Sequence, residues 1–181
     1  MCLPELPLEA FGVYRSEPRF SIVIDSCCRF EVEQITMPNG GVGISSCFLW
    51  SSSVGLATFV HRYLCCCERS SANTDDGMSV LELAAGFALP ARVLARCGGF
   101  SRVVATEIGE PLKALQQRVD ELSVMEFDWL EPRPGGLDGF DVVLAADCIY
   151  SESLHAPLIG VIGETLSARQ ACAACQGRSL V

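Results

Sequence analysis

Four short apolar runs, each carrying an acidic residue at or just past its end, constrain this chain most. They are Met78–Leu83, Phe100–Thr106, Leu122–Phe127 and Phe140–Ala146, with centres spaced by 23, 22 and 18 residues. Each run has the length and composition of a buried strand. The first interval holds Leu89–Cys97, which reads as a helix with Pro90 in its first turn and Gly98-Gly99 past its end. Leu112, Leu115 and Val119 mark a second helix, whereas Pro132, Pro134, Gly135 and Gly136 make the third interval a turn-rich link. Phe140–Ala146 alternates too little for a strand with one solvated face. A last helix is marked by Leu154, Leu158, Ile162 and Leu166. Strands separated by helices predict an α/β fold: about four parallel core strands with helices on both faces.

The N-terminal part differs. Phe20–Ile24 and Phe30–Ile35 flank Asp25–Arg29 as a predicted hairpin. Ser51, Ser52 and Ser53 follow Trp50 as N-cap material, and Leu56, Phe59, Val60, Tyr63 and Leu64 are predicted to form the apolar face of a helix. The 181 residues suit one domain, with 50% hydrophobic and 19% charged residues, enough to bury a core. We divide it into an N-terminal β extension (1–49), the sheet region (50–167) and an irregular or helical tail (168–181).

Charge and cysteine usage remove several function classes. Thirteen basic residues face 22 acidic ones, Lys113 is the sole lysine, and no basic run exists, so the sequence carries no nucleic-acid footprint. The uncharged stretch 34–60 is broken by Pro38 and glycines, so no membrane span is expected. The N-terminus has neither the basic start nor the apolar centre of a signal peptide. Eleven cysteines, an odd number with adjacent ones at 27–28 and 65–67, do not resemble a disulfide framework. A reducing compartment is expected, cytoplasmic with the nucleus also open. Cys172 and Cys175 form a lone C-x-x-C, so no metal site is expected.

In a parallel α/β sheet, ligands bind outside the carboxyl ends of the strands. That rule selects Glu82–Ala88, Glu107, Asp128-Trp129 and Asp147–Tyr150. Glu107 lies 21 residues past Gly86, the spacing of an acidic group that grips ribose hydroxyls. LELAAGFALP (81–90) resembles the nucleotide loop LELGxGxGL of seven-stranded, S-adenosylmethionine-dependent methyltransferases. VVATE (103–107), FDWL (127–130), FDVVLAADCIY (140–150) and the tryptophan of WSSSVGLA complete a pattern similar to the methyltransferase-like 21 group of protein-lysine methyltransferases. The resemblance spans roughly residues 40–166 and implies a Rossmann-like class I methyltransferase sheet with S-adenosylmethionine as cofactor.

By the same resemblance, Glu82, Ala84, Ala85 and Gly86 belong to the loop around the methionine and ribose. Glu107 would bind the ribose, Trp129 would flank the adenine, and Asp128 would accept from its amino group. Trp50 and Ala146 would complete the cofactor wall, and Asp147 and Tyr150 would face a lysine-bearing protein substrate. Asp147-Cys148-Ile149-Tyr150 lacks the prolines of base-methylating enzymes, which favours a protein side chain.

Three features depart from the family pattern. Ala84 and Ala88 stand where the family has loop glycines, and Glu107 replaces the usual aspartate. A methyl group at 84 is expected to crowd the cofactor and weaken its binding. The family continues with three more strands, whereas SARQACAACQGRSLV contains no convincing one. The fold is therefore expected to be C-terminally truncated, with the outer edge of the fourth strand open to self-association. The alternative reading is a catalytically inactive binding module. A nicotinamide-dependent oxidoreductase is disfavoured, since the loop lacks G-x-G-x-x-G and no Tyr-x-x-x-Lys exists.

Overall fold

A computed structural model describes residues 5–6, 19–25, 28–34, 49–65, 77–119 and 122–166. The elements in chain order are β1 (Glu5–Leu6), β2 (Arg19–Asp25), β3 (Cys28–Glu33), α1 (Ser51–Val60), β4 (Met78–Leu83) and α2 (Leu89–Cys97). They continue with β5 (Phe100–Glu107), α3 (Gly109–Arg118), β6 (Ser123–Glu126), β7 (Val142–Ala145) and α4 (His155–Thr165). A π-helical turn, His61–Cys65, extends α1, and a 3-10 turn, Glu152–Leu154, precedes α4.

All four apolar runs pair as one parallel sheet of order β6-β5-β4-β7. The chain winds outward from β4 to β5 to β6, then crosses back to place β7 on the other side of β4. Strand order therefore reverses at β4, which makes its carboxyl end the crevice of the fold. Register explains how the layers form. Val80 and Glu82 pair with Val103 and Ala105, while Leu81 pairs with Val104. The first set faces α2 and α3, whose Val93, Leu94, Ala91 and Leu115 bury against Val80 and Ala105. Leu81, Leu83 and Val104 face the opposite way and pack with Leu158 and Val161 of α4. Both faces of the sheet are covered, as the unbroken apolar strands require.

β2 and β3 form the predicted hairpin, antiparallel from Arg19↔Glu33 to Asp25↔Cys28, with β1 parallel to β2. Phe20, Ile22, Phe30 and Val32 of this second sheet join the same core cluster as Val54, Ala57, Val60 and α2. Gly77, just before β4, has no room for a side chain, because a Cβ there would meet Gly99 O at 2.8 Å and Ser101 N at 2.9 Å.

Four expectations are corrected. The buried face of α1 is Ser53, Val54, Ala57 and Val60, while Phe59 and Tyr63 are half-exposed and stack on each other at 4.7 Å between centroids. The predicted face is right at Val60, with Leu56 and Leu64 packed against the core, and wrong at the aromatic pair, whose places in the core are taken by Ser53, Val54 and Ala57. The N-cap of α1 is Trp50, without a side-chain capping bond, so the three serines do not cap it. The fourth strand is also shorter than its apolar run. Phe140 instead forms an isolated parallel bridge with Leu166, and its N–H donates to Thr165 O. The chain leaving α4 thus returns beside the start of β7 and takes up part of the edge expected to be open. Residues 167–181, including Cys172 and Cys175, lie outside the described residues.

Candidate active site

The carboxyl ends of β4, β5, β6 and β7, with the start of α1, enclose a cavity of about 910 Å³. Trp50, Glu82, Ala84, Ala85, Gly86, Glu107, Asp128, Trp129, Ala146, Asp147 and Tyr150 all line it. Sequence reasoning missed Ser53, Phe87, Ile108, Glu110 and Cys148, which line it as well. Phe87 and Cys148 carried a signal, lying inside the Glu82–Ala88 and Asp147–Tyr150 segments. The others sit beside motif residues, and their types announce nothing. Among the described residues, five acidic side chains and no basic one face the space (Glu82, Glu107, Glu110, Asp128 and Asp147).

Glu82 ends β4 fully buried beneath the loop. Its Oε2 accepts from Ala91 N–H at 2.8 Å, so it serves the first turn of α2, where Pro90 brings no N–H of its own. Burial pushes its pKa up to about 8, against the pull of the Ala91 bond and with help from the nearby Glu107 charge. Glu107 ends β5, also buried. One oxygen accepts from Gly86 N–H at 2.7 Å and the other from Ile108 N–H at 3.0 Å. Burial raises its pKa, and the Ile108 and Gly86 bonds offset part of the rise. Each carboxylate oxygen keeps a further lone pair for ligand hydroxyls.

The loop after β4 is strained where the family has glycine. Ala84 has φ 46° and Ala88 φ 50°, both left-handed, with Gly86 at φ 55° between them. Ala85 N–H donates to Thr106 O at 2.9 Å and Ala88 N–H to Ala85 O at 2.7 Å, which hold the turn. Asp147 is the third non-glycine residue with positive φ among the described residues, at 56°. Its Oδ2 accepts from Ser52 Oγ, so the second residue of α1 fixes the aspartate just past β7. Ser52 was legible only as a capping serine. Asp128 Oδ1 accepts from Leu130 N–H at 3.0 Å, which places Trp129 in the wall, half-buried against the β4–α4 cluster. The Cys148 thiol is buried and points at Leu83 O and Ala146 O; desolvation pushes its pKa up to about 11, so it is no nucleophile at neutral pH. Ile149 and Tyr150 stand 77% and 70% exposed at the mouth.

A family model described as lysine methyltransferase matches residues 30–179. The chain belongs to this family. No curated protein sequence matches it. Solved structures similar to it include a Haloferax volcanii methyltransferase in complex with the Trm112 methyltransferase activator, 17% identical with TM-score 0.41, over 64% of this chain and 52% of that one. A TehB-like SAM-dependent methyltransferase from Corynebacterium glutamicum is 15% identical with TM-score 0.44, over 63% and 68% of the two chains. A protein from Pyrococcus horikoshii is 19% identical with TM-score 0.40, over 61% and 54%. The matched part spans about half the length of the first and third of these. Among the described residues, no helix is long and apolar enough to cross a membrane.

S-adenosylmethionine is the cofactor of such a methyltransferase, and the residues present fit it. Its sulfonium and ammonium groups are cations, and the charged groups that line the cavity among the described residues are all acidic. Ser53 Oγ is buried in the wall and has no hydrogen-bond partner among the described residues, which leaves a donor for a ligand. Trp50 and Trp129 supply flat apolar surface for a purine.

Proposed function

We propose that this chain transfers a methyl group from S-adenosylmethionine to a lysine side chain of a protein substrate. The observation that carries this reading is the acidity of the cavity: among the described residues, five acidic side chains and no basic one line it, with Glu82 held largely protonated by burial, beneath a mouth rimmed by exposed apolar residues. A cationic donor and a cationic acceptor both suit such a lining, whereas a nucleic-acid phosphate does not. Glu107 would hold the ribose, Glu82 and the Ala84–Gly86 backbone the methionine end, and Asp128 and Trp129 the adenine. Trp50 and Ala146 complete that wall.

When bound, the cofactor supplies an electrophilic methyl carbon on a positively charged sulfur. A deprotonated lysine nitrogen held at the mouth would attack that carbon in line, a new C–N bond replacing the C–S bond, whose electron pair would stay on sulfur. Asp147 would accept from the ammonium and aim it, while Tyr150 packs along the alkyl stem. The proton leaves to solvent at the mouth. Asp147 raises the pKa of the lysine, and the donor's charge lowers it, so the two charges set the amine fraction together.

The second reading, a binding module without turnover, is favoured by one observation: two alanines in left-handed backbone, Ala84 in the cavity wall and Ala88 buried behind it. Incubating purified chain with cell lysate and isotope-labelled S-adenosylmethionine separates the two. Labelled protein that disappears with Asp147→Ala, and drops severalfold with Ser52→Ala, supports the enzyme. Folded protein that labels nothing leaves the module.

A further inference from the structure

Three donor side chains outside the cavity converge where three elements end. Cys28 opens β3, His61 begins the π-helical turn after α1, and Cys97 closes α2. Their ligand atoms all lie within 4.8 Å of one another. Cys28 is buried at 1% exposure and the His61 side chain is 12% exposed, so the cluster is shielded rather than a chance surface grouping. Asp25 is the cross-strand partner of Cys28, and its Oδ2 sits 3.6 Å from His61 Nε2. None of the four lines the cavity.

We propose that Cys28, His61 and Cys97 bind a zinc ion, with Asp25 as the carboxylate that orients the His61 ring. Two thiolates and one imidazole are a zinc donor set, and they neutralise the divalent charge. With sulfur about 2.3 Å and nitrogen about 2.1 Å from the metal, tetrahedral donors stand roughly 3.5–3.8 Å apart. The cluster reaches that spacing by closing at most about 1 Å through side-chain rotation, with a solvent oxygen in the fourth position. A carboxylate beside a ligating histidine is the usual partner that fixes ring orientation. The π-helical turn begins at His61, and such turns gather at functional sites. Sequence reading passed over the site because its ligands are 33 and 36 residues apart, while the C-x-x-C at 172–175 drew attention instead.

The ion would pin the hairpin and the far end of α1 to α2. The near end of α1 carries Ser52 and Ser53, so a metal at one end would steady the helix whose other end builds the cavity wall. The test uses the full chain, reduced and then dialysed against zinc or titrated with cobalt. One ion per chain is expected, and the cobalt form should show a thiolate charge-transfer band with the visible bands of tetrahedral coordination. His61→Asn and Cys97→Ser should remove the charge-transfer band. Asp25→Asn should weaken zinc by about 10- to 100-fold, and Cys172→Ser with Cys175→Ser should change nothing. Cys28→Ser is read only alongside a circular dichroism spectrum, since its side chain is fully buried; the other two variants carry the test if it does not fold. Absence of the cobalt band overturns the proposal, as does binding that survives His61→Asn with Cys97→Ser. A Cys28–Cys97 disulfide in zinc-replete protein would equally overturn it.

Discussion

Replacing Ala84 by glycine should stabilise the protein, the reverse of what an alanine-to-glycine change normally does. Ala84 holds φ 46°, a left-handed conformation that costs an L-residue about 1–2 kcal/mol. Glycine removes that cost but enlarges the entropy of the unfolded chain, a loss of about 0.4–1 kcal/mol. The methyl is half-buried against the β4–α4 cluster, so its removal forfeits roughly half of the ~0.8 kcal/mol that a fully buried carbon contributes. The net is a gain of about 0.5 kcal/mol, a rise of roughly 1–2 °C in Tm for a chain of this length. Ala88 has the same strain, φ 50°, but is completely buried, so Ala88→Gly should come out near zero. Ala95→Gly in regular α2 should lose about 1 kcal/mol. Urea unfolding of the three variants reads the ordering 84, 88, 95. Calorimetry with S-adenosylmethionine reads the second consequence: Ala84 lines the cavity, so removal of its methyl should tighten binding severalfold. If Ala84→Gly destabilises as much as Ala95→Gly, the strain argument fails. If affinity is unchanged, the methyl does not crowd the cofactor.

The buried carboxyls make stability pH-dependent in an unusual direction. Glu82 has a folded pKa of about 8 against an ordinary 4.5, so between those values the folded state keeps a proton that the unfolded state has lost. Stability should therefore fall as pH rises from 5 to 8, by on the order of a few kcal/mol, and the raised pKa of Glu107 acts in the same sense. Glu82→Gln keeps an acceptor for Ala91 N–H and should flatten this slope; denaturant midpoints at pH 5 and pH 8 that do not differ in the parent protein would refute it. Glu107→Ala removes the acceptor of two backbone N–H groups and of the proposed ribose contact. A loss of about 1.5–3 kcal/mol in cofactor binding, roughly 10- to 100-fold by calorimetry, is expected.

The sheet was legible because its central strand β4 is buried almost throughout and helices of ordinary length separate β4, β5 and β6. Leu89–Cys97 matches its predicted bounds since Pro90 and Gly98 punctuate both ends. The strand ends then located the site, since a parallel sheet delivers its loops to one edge whatever their sequence. What stayed hidden depends on three-dimensional neighbours. Alternation alone places Ser53 and Ala57 on the buried face of α1 only once α2 is beside it, so Phe59 and Tyr63 appeared to be core. The bond from Ser52 to Asp147 spans 95 residues, and no local pattern encodes it. Left-handed backbone at an alanine is likewise invisible until the loop is built, although the family's glycines hinted where to look.

The two backbone bonds to Glu107 join the loop after β4 to the loop after β5. That side chain is thus a cross-brace before any ligand arrives. Its rotamer and the two loops are ordered at folding, so binding pays little further entropy to assemble them. Glutamate in place of the shorter aspartate acquires a meaning here: the extra carbon supplies the reach to hold both loops at once. Selectivity for an intact ribose would then come from a rigid acceptor, which cannot relax toward a sugar that lacks a hydroxyl.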